Sequence, residues 1–490
     1  MNQSATAAPN PAEATKPAAV VVLAAGQGTR MKSATPKVLH PVCGLPLLGH
    51  ALRAATGLDP NKVAVVVRHE RDRVAEYALT QCPDALIVDQ DAVPGTGRAA
   101  QEALAALDAA SETGRISGPV VLMASDAPML DAATLAQAVN EQARTGAAVA
   151  MLTTRVPDPT GYGRVVRGPD GTVAAIVEQK EATSEQRAIN EVNVSVYVAD
   201  AAFLRDALAA LEPAPVSGEL YVTDIVGAAV AKGLPVRAVV VDDARLVESC
   251  NDRAQLADLG AEMNRRIVHQ WMLDGVTVAD PATTWIDADV RLEPDVTLLP
   301  GVQLRGRTTV ATGATVGPDS TLTDMVIGAG AMVERTHGSG SEIGAGANVG
   351  PFTFIRPGTK LGANGKIGAY CETKNAVIGD ASKVPHLSYV GDAVIGTGTN
   401  IGAATIFANY DGVAKHHSKV GDQVRVGSDT VIVAPVTIGD GAYTAAGSVV
   451  TEDVPAGALA VARGKQHNAA GWTERRRAGT ASAQAAASAQ

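Results

Sequence analysis

The stretch IGAGANVGPFTFIRPGTKLGANGKIG, residues 343–368, carries an aliphatic residue at every sixth position. An amphipathic helix has apolar residues about 3.6 positions apart and a simple strand has them at every second position, so neither explains this period. A period of six is typical of a parallel β-helix, in which each flat face turns one aliphatic side chain inward and small residues occupy the corners. The aliphatic positions here are Ile343, Val349, Ile355, Leu361 and Ile367. The stretch therefore predicts a β-helix.

The same phase extends in both directions along the chain. The further members of the series are Val290, Val296, Val302, Ile378, Val384, Val390, Val420, Val426, Ile432 and Ile438. Three hexads complete one triangular coil, so residues 281–455 predict roughly ten coils of about 18 residues each. The series restarts several times, which indicates loops leaving some corners. The alternative, a glycine-rich region of low complexity, does not explain why the aliphatic residues keep their phase.

The first half of the chain, from Ala19 to about Gly275, has a different pattern. Short valine-rich runs alternate with amphipathic segments, as expected for strands buried on both faces and covered by helices. The runs are AVVVLAAG, VAVVVR, ALIV, VVLMA, VAMLTT and VRAVVV, and the helical segments include LLGHALRAA, GRAAQEALAAL and TLAQAVNEQARTG. This alternation predicts a doubly wound, Rossmann-like α/β domain.

These patterns divide the chain into five segments. We expect a disordered tail over 1–18, an α/β domain over 19–250, a linker helix over 251–275, a left-handed β-helix over 276–470 and a flexible tail over 471–490.

Composition excludes several classes of protein. The net charge of −10 argues against a broad nucleic-acid surface. The four cysteines form no CxxC pair, which argues against a disulfide framework or a zinc cluster and favours reduced thiols in a cytosolic protein. No apolar run is long enough to span a membrane, and the N-terminus does not resemble a signal peptide. We therefore expect a cytoplasmic protein.

The segment LAAGQGTRMKSATPKVL, beginning at Leu23, predicts a phosphate-binding loop. Gly26 and Gly28 fall where a buried strand meets a helix, and backbone amides at such a turn can cradle phosphates. Arg30 and Lys37 follow closely and would neutralise a triphosphate. A plain strand-to-helix turn is the alternative for the glycines alone.

Asp126, in MASDAP, falls at the carboxyl end of a predicted strand. Ligands of open α/β sheets bind at this edge, where a carboxylate can hold magnesium together with phosphate oxygens. A cap on the following helix is the alternative.

Several motifs follow one another in an order that resembles a known family. LAAGQGTRM with PKVL resembles the signature of sugar-1-phosphate nucleotidyltransferases, and QDAVPGTG, SDAP, DPTGYGRV, VEQKEAT, INEVN and ELYVTDI recur after it. This set, covering 19–472, is similar to that of the bacterial bifunctional N-acetylglucosamine-1-phosphate uridyltransferases/glucosamine-1-phosphate acetyltransferases. The resemblance implies that acetyl-CoA acetylates glucosamine 1-phosphate, and that UTP then uridylylates the product and releases pyrophosphate. It also implies a role in cell-wall synthesis.

The resemblance assigns roles in the first domain residue by residue. Arg30 and Lys37 would be catalytic groups that bind the triphosphate, and Asp126 and Asn251 would hold Mg²⁺. The residues implied to bind UTP or UDP-N-acetylglucosamine are Leu23, Ala24, Ala25, Gly26, Lys37, Gln90, Gly95, Thr96, Gly163, Glu178, Asn193 and Asn251. The chain departs from the family's usual residues at Arg98, Ser125, Val194 and Ser195.

In the β-helix the resemblance implies an acetyltransferase site. His386 matches the family's general base, and an unperturbed imidazole suits that task near neutral pH. A structural histidine is the alternative, whereas a zinc site would need three imidazoles. The residues implied to bind the sugar phosphate are Arg356, Lys374, Tyr389 and Asn400, and those implied to bind acetyl-CoA are Asn409, Tyr410, Lys415, Ser428, Ala446 and Arg463. The chain departs from the usual motif at Ala404.

The resemblance also implies a homotrimer assembled through the β-helix, with no nucleic-acid or membrane partner. One alternative function stays open at the level of sequence. A nucleotidyltransferase can carry a β-helix that only binds regulators, and a purely structural scaffold is a third possibility that leaves both phosphate-type motifs unexplained.

Overall fold

The computed structural model describes residues 16–489 of the chain. These residues divide into two compact units, 16–267 with 286–288 and 268–285 with 289–489. Most of the expected N-terminal tail, 1–15, lies outside the described residues. Among the described residues no helix is long and apolar enough to cross a membrane.

The first unit is built on one large sheet with helices on both faces. Its strands, in chain order, are β1 (Ala19–Leu23), β2 (Val63–Val67), β3 (Leu86–Asp89), β4 (Pro119–Ala124), β5 (Val149–Arg155), β6 (Arg164–Arg167), β7 (Val173–Val177), β8 (Glu191–Asp200) and β9 (Val236–Val241). The order across the sheet is β9-β5-β8-β4-β1-β2-β3, with the β6–β7 hairpin paired to β8. All six predicted runs are strands.

The helices of this unit are α1 (Leu47–Thr56), α2 (Arg71–Gln81), α3 (Thr96–Ala109), α4 (Ala132–Thr145), α5 (Ser184–Arg187), α6 (Ala201–Ala209), α7 (Asp224–Ala231) and α8 (Arg253–Leu273). Short 3₁₀ turns span Thr29–Met31, Lys37–Leu39 and Ala244–Val247, and a small hairpin joins Pro41–Val42 to Leu45–Pro46.

Strand β1 shows why the sheet is covered on both faces. Its side chains alternate, so that Ala19 and Val21 belong to one apolar core and Val20 and Val22 belong to the other. Helices α3, α6 and α7 supply residues to the first core, and α1, α2 and α4 supply residues to the second. Successive side chains of a strand point to opposite faces, so a continuous valine run serves both cores.

Strand β8 departs from the expected parallel arrangement. It runs antiparallel between β4 and β5, whereas β1, β2, β3 and β4 are mutually parallel. Residues 191–200 were recognised only through the motif INEVN and were not predicted as a strand. The direction of a strand depends on the path of the chain before it and is not encoded in its own residues.

Helix α8, which was predicted as a linker, is also part of the core of the first unit. Leu259 and Met263 on its first half are buried in a cluster with Met31, Leu47 and Met129. The amphipathic pattern of the helix therefore reflects packing within the first unit.

The second unit is a parallel β-helix. Its strands are Thr277–Val278, Trp285–Ile286, Arg291–Leu292, Thr297–Leu298, Gln303–Arg305, Thr309–Val310, Thr315–Val316, Thr321–Thr323, Val326–Ile327, Met332–Val333, Thr336–Ser339, Glu342–Ile343, Asn348–Val349, Thr353–Ile355, Lys360–Leu361, Lys366–Ala369, Glu372–Ile378, Lys383–His386, Tyr389–Ile395, Ile406–Ala408, Ser418–Val420, Val431–Val433, Thr437–Ile438, Tyr443–Thr444, Val449–Val450 and Leu459–Ala460. The hexad aliphatics from Val290 to Ile438 that predicted this fold are all buried.

The length of each coil can be measured from the strand register. Thr297 pairs with Thr315 and Phe354 pairs with Glu372, each 18 residues further along. One coil is longer, because Val394 pairs with Lys419, 25 residues further along. The additional residues form a loop that leaves one corner, and we call 409–416 the corner loop.

One corner of the β-helix carries exposed apolar side chains. Phe352, Tyr370 and Leu387 have positive φ angles of 58°, 55° and 50° and are 53%, 60% and 59% exposed. The rings of Phe352 and Tyr370 stack with their centroids 5.4 Å apart. We call these three residues the apolar ridge.

The expected flexible tail contains two helices, Trp472–Arg476 and Ala481–Ser488. The second is alanine-rich and begins at Thr480, whose side chain accepts a hydrogen bond from the backbone N–H of Ala483. High helix propensity and an N-cap explain why this segment is helical.

Candidate active sites

A cavity of about 660 Å³ opens in the first unit. The predicted residues that line it are Leu23, Ala25, Gly26, Arg30, Lys37, Gln90, Gly95, Thr96, Asp126, Gly163, Glu178, Asn193 and Asn251. Ala24 does not line it: its side chain is 3% exposed and belongs to the apolar core, because it alternates with its neighbours. The cavity has the size of a small-molecule binding site.

Two cations and two oxygen-bearing side chains meet in this cavity. The Lys37 Nζ atom donates to Asp126 Oδ2 at 2.5 Å and to Asn251 Oδ1 at 3.2 Å. The Arg30 guanidinium also donates to Asn251 Oδ1, at 2.7 Å. Chain segments more than 200 residues apart are thus brought to one point.

The residues present fit a magnesium ion. The Asp126 carboxylate and the Asn251 amide oxygen converge on a single positive charge, here the Lys37 ammonium, and both are hard oxygen ligands. Within residues 16–489 no cluster of three His, Cys, Asp or Glu side chains is arranged to hold a metal. Mg²⁺ needs few protein ligands, because substrate phosphates and water supply the others.

Gly28 makes the loop around Lys37 possible. Its φ of 63° lies in the left-handed region, and a Cβ atom at this position would lie 2.4 Å from Lys37 Cβ. Any larger residue would displace the lysine.

The side chain of Gln90 is held in one orientation by its own loop. Its Nε2 donates to the carbonyl oxygens of Val93, at 2.9 Å, and Gly95, at 3.1 Å. Both amide protons are therefore used, and Oε1 is the atom left to interact with a ligand. Arg98, one of the departures noted above, stabilises the same loop through hydrogen bonds from its guanidinium to Asp91.

The other end of the cavity is formed around strand β8. A bulge follows Asn193, since the register with β5 shifts between Asn193 and Tyr197. Ser195 adopts a φ of 57°, and its N–H donates to Asn193 Oδ1 at 3.2 Å, which orients that amide. Glu178 lies nearby, and burial raises the pKa of its carboxyl group.

The cavity also contains residues that the sequence analysis did not select. Arg68 and His69 line it directly after β2, and Tyr162 lines it beside Gly163. The position of Arg68 and His69 at the carboxyl end of a parallel strand is a signal that could have identified them.

In the β-helix, Arg356 and Lys374 lie within a group of charged side chains. Arg356 donates to Glu372 Oε1 at 2.8 Å. Lys415, from the corner loop, lies beside Lys374. A hydrogen bond with Lys415 and its positive charge, then burial and the charge of Arg356, lower the pKa of Lys374. Clustered cations of this kind are suited to binding a phosphate.

A buried carboxylate lies next to this cluster. Asp392 is 5% exposed and accepts hydrogen bonds from the Nδ2 atoms of Asn375, at 2.7 Å, and Asn409, at 2.6 Å. Burial opposes ionisation of Asp392, but these bonds and the nearby side chains of His417 and Lys415 hold its pKa below the usual value. Asn409 Nδ2 also lies 3.4 Å from the hydroxyl of Tyr389. Sequence analysis did not select Asp392.

His386 lies in a column of corner residues that continues through successive coils. The carbonyl oxygen of His386 accepts from the N–H of Ala404, at 3.1 Å, and that of Ala403 accepts from Asp429. Ser428 in turn accepts from Gly447, the neighbour of Ala446. The column therefore brings Ser428 and Ala446 into line with His386, one coil apart from each other.

The remaining predicted residues are distributed over several coils of the β-helix. Asn400 is bridged to Lys383 and Arg425 in the adjacent coils. Tyr410 and Lys415 pair with each other across the corner loop. Arg463 is exposed and follows Ala462, whose carbonyl oxygen accepts from the N–H of Val449.

Both halves of the chain match known protein families. Residues 20–196 match the MobA-like NTP transferase domain, and residues 417–452 match the bacterial transferase hexapeptide repeats. Together with the cavity and the coil register, these matches define a nucleotidyltransferase joined to a hexapeptide-repeat transferase.

Full-length relatives narrow this class to one family. The chain is 59% identical to the bifunctional protein GlmU of Kineococcus radiotolerans, over 96% of this chain and 94% of the relative. It is 56% identical to that of Paenarthrobacter aurescens, over 97% and 95%, and 52% identical to that of Corynebacterium efficiens, over 96% and 97%. The chain belongs to the bifunctional GlmU family and is both a uridyltransferase and an acetyltransferase. The resemblance and the fold class inferred from sequence are confirmed.

Proposed function

We propose that the chain makes UDP-N-acetylglucosamine in two consecutive steps. The β-helix acetylates glucosamine 1-phosphate with acetyl-CoA, and the α/β unit then transfers uridylyl from UTP to the N-acetylated product. The observation that carries the second step is the convergence of Arg30, Lys37, Asp126 and Asn251 in one cavity. This chemistry supplies cell-wall synthesis from the cytoplasm.

In uridylyl transfer, an oxygen of the sugar phosphate attacks the α-phosphorus of UTP and pyrophosphate leaves. The phosphate monoester has a second pKa near about 6, so it is mostly dianionic at neutral pH and needs no protein base. Arg30 and Lys37 neutralise the triphosphate and hold it in line for attack. Asp126 and Asn251 would hold Mg²⁺, which contributes charge neutralisation when bound.

The orientation of Gln90 supports selection of uracil. Because its Nε2 protons are held by two backbone carbonyls, Gln90 presents only Oε1, which accepts a hydrogen bond. Uracil carries an N–H at ring position 3, whereas cytosine carries an acceptor there. The other residues implied to bind UTP or UDP-N-acetylglucosamine, except Ala24, line the same cavity.

In acetyl transfer, His386 removes a proton from the glucosamine ammonium, and the free amine attacks the thioester carbonyl. The C–S bond breaks as the amide forms, and the thiolate of coenzyme A takes up a proton. Arg356 and Lys374 bind the sugar phosphate, with Tyr389 and Asn400 near the sugar. The corner column, together with Asn409, Tyr410, Lys415 and Arg463, would hold acetyl-CoA.

A trimer through the β-helix is part of this proposal. The apolar ridge supports it, because three bulky apolar side chains are exposed on left-handed backbone, an arrangement that a partner surface would stabilise.

Separate removal of the two activities tests the proposal. We expect His386→Ala to abolish thiol release from acetyl-CoA in the presence of glucosamine 1-phosphate and to leave pyrophosphate release intact. We expect Lys37→Ala to do the reverse, with a loss of about 10²–10³-fold in uridylyl transfer. Lys16→Ala, which removes an exposed lysine paired with Asp59, is the matched control. Intact acetyl transfer in His386→Ala would show that another group is the base.

A further inference from the structure

We propose that Asp392 is a positioning residue for acetyl transfer. It holds the neck of the corner loop, where Asn409 and His416 meet, and so keeps Lys415 beside the cations proposed to bind the sugar phosphate. This inference rests on the proposed placement of the sugar phosphate at Arg356 and Lys374.

Asp392 is buried, and its carboxylate accepts hydrogen bonds from two donors. The carboxylate is 5% exposed and accepts from Asn375 and from Asn409 at 2.7 and 2.6 Å. The Asn375 bond is made to Oδ1 and the Asn409 bond to Oδ2, so each oxygen has its own donor. An ionised carboxylate is the side chain of this size that offers two acceptors in this arrangement.

Asn409 links Asp392 to the corner loop. Asn409 is the first residue of the corner loop, and its carbonyl oxygen accepts from the N–H of His416 at 2.8 Å, closing the neck of the loop. Inside the loop, Asp411 accepts from the N–H groups of Val413 and Ala414 and from His416. The loop is therefore held together internally, and Asn409 ties its first residue to Asp392.

Asp392 also contributes to the charge balance around Arg356 and Lys374, the cations proposed to bind the sugar phosphate. Lys374 faces Lys415 and Arg356, which both lower its pKa, while Asp392 acts in the opposite direction. Arg356 is paired with Glu372, and His417 lies near Asp392. The negative charge of Asp392 thus offsets part of the repulsion that Lys415 and Arg356 exert on Lys374.

Close packing indicates that this geometry has little freedom. A Cβ atom on Gly391, directly before Asp392, would lie 2.3 Å from the Tyr389 hydroxyl and 2.7 Å from Asn409 Nδ2. Tyr389 and Asn409 therefore lie directly over this corner.

The test is Asp392→Asn in the full-length chain. Asparagine keeps the shape and tolerates the φ of 49° at this position, but it offers one acceptor and no charge. We expect the KM for glucosamine 1-phosphate to rise about tenfold or more. The KM for acetyl-CoA should rise as well, because the corner loop carries Asn409, Tyr410 and Lys415, which are proposed to hold it. Because Lys374 loses its negative neighbour, the alkaline decline of acetyl transfer should begin at lower pH. Uridylyl transfer should be unchanged.

Asp324→Asn is the matched control. Asp324 has a φ of 51° in the same β-helix and accepts from the backbone N–H of Arg307 at 2.8 Å, far along the chain from this cluster. If Asp392→Asn does not fold, Asn375→Gly removes one of the two donors while tolerating the positive φ, and should raise the same KM by a smaller factor.

Four results would overturn the inference. An unchanged KM and pH profile in Asp392→Asn, alongside a raised KM in Lys374→Ala, would remove the role of Asp392 and leave the proposed function standing. An equal fall of both activities with the melting temperature would show that Asp392 only maintains the fold. A wild-type enzyme that releases no thiol, or a Lys374→Ala variant with normal KM, would overturn the proposed site and this inference with it.

Discussion

At the scale of single residues, the local sequence identifies residues with a strong chemical role better than it identifies the residues that hold them in position. Arg30, Lys37 and Asp126 were selected from their types and positions, and the structure brings them into one cavity. Ala24 was selected with them, but strand alternation turns its side chain into the core. Asp392 was missed because its partner Asn409 is 17 residues away and meets it only after the chain completes a coil.

Base selection can be tested at Gln90. We expect Gln90→Ala to raise the KM for UTP by about tenfold and to reduce the preference for UTP over CTP, because the acceptor for the uracil N–H is lost. Pyrophosphate release with each nucleotide measures both quantities. Gln81→Ala, at the end of α2, is the control. An unchanged preference would show that another group reads the base.

Thiol reactivity gives a test that depends on pH. Burial raises the pKa of Cys43 to about 12 and that of Cys250 to about 11. Both thiols should therefore resist alkylation by iodoacetamide at pH 8 in the folded protein and react fully in denaturant. Since an unfolded thiol has a pKa of about 8.5, their contribution to stability is complete below that pH and declines as the pH rises towards 11. Rapid alkylation of both in the native protein would contradict this.

At the scale of elements, segments with a repeating apolar pattern were predictable, whereas segments whose position depends on the path of the chain were not. The hexads defined the β-helix and the valine runs defined the central strands, because burial repeats at a fixed spacing in each. Strand β8 was missed because its neighbours and its antiparallel direction depend on the path of the chain. That a loop leaves a corner was expected from the broken series, but its place at 409–416 follows only from the register of Val394 and Lys419.

The role of α8 in the core of the first unit can be tested by truncation. Leu259→Ala should lower the free energy of unfolding by about 2–5 kcal/mol, because Leu259 is fully buried against the cluster around Met31. Leu273→Ala, on the same helix but 68% exposed, should have almost no effect. Denaturant unfolding of the two variants measures the difference. Equal stability of both would mean that α8 only connects the units.

At the scale of the whole molecule, the proposed trimer is open to a direct test. Sedimentation should give three copies of the 49.9 kDa chain, and Tyr370→Asp should shift the equilibrium to monomers, because it places a charge within the apolar ridge. Val216→Asp, at a site 70% exposed in the first unit, should leave assembly unchanged. A monomeric wild-type protein would remove the trimer from the proposal.

The corner column that contains His386 also fixes a length along the axis of the β-helix. Coils stack about 4.8 Å apart, so the three steps from His386 through Ala404 and Asp429 to Gly447 span roughly 14 Å along the axis. The number of coils therefore sets the distance between His386, the proposed base, and the far end of the proposed acetyl-CoA site, and this distance can change only by one coil spacing at a time. Duplicating a coil between Asp429 and Gly447 would lengthen the proposed acetyl-CoA site by one coil spacing and leave the surroundings of His386 unchanged.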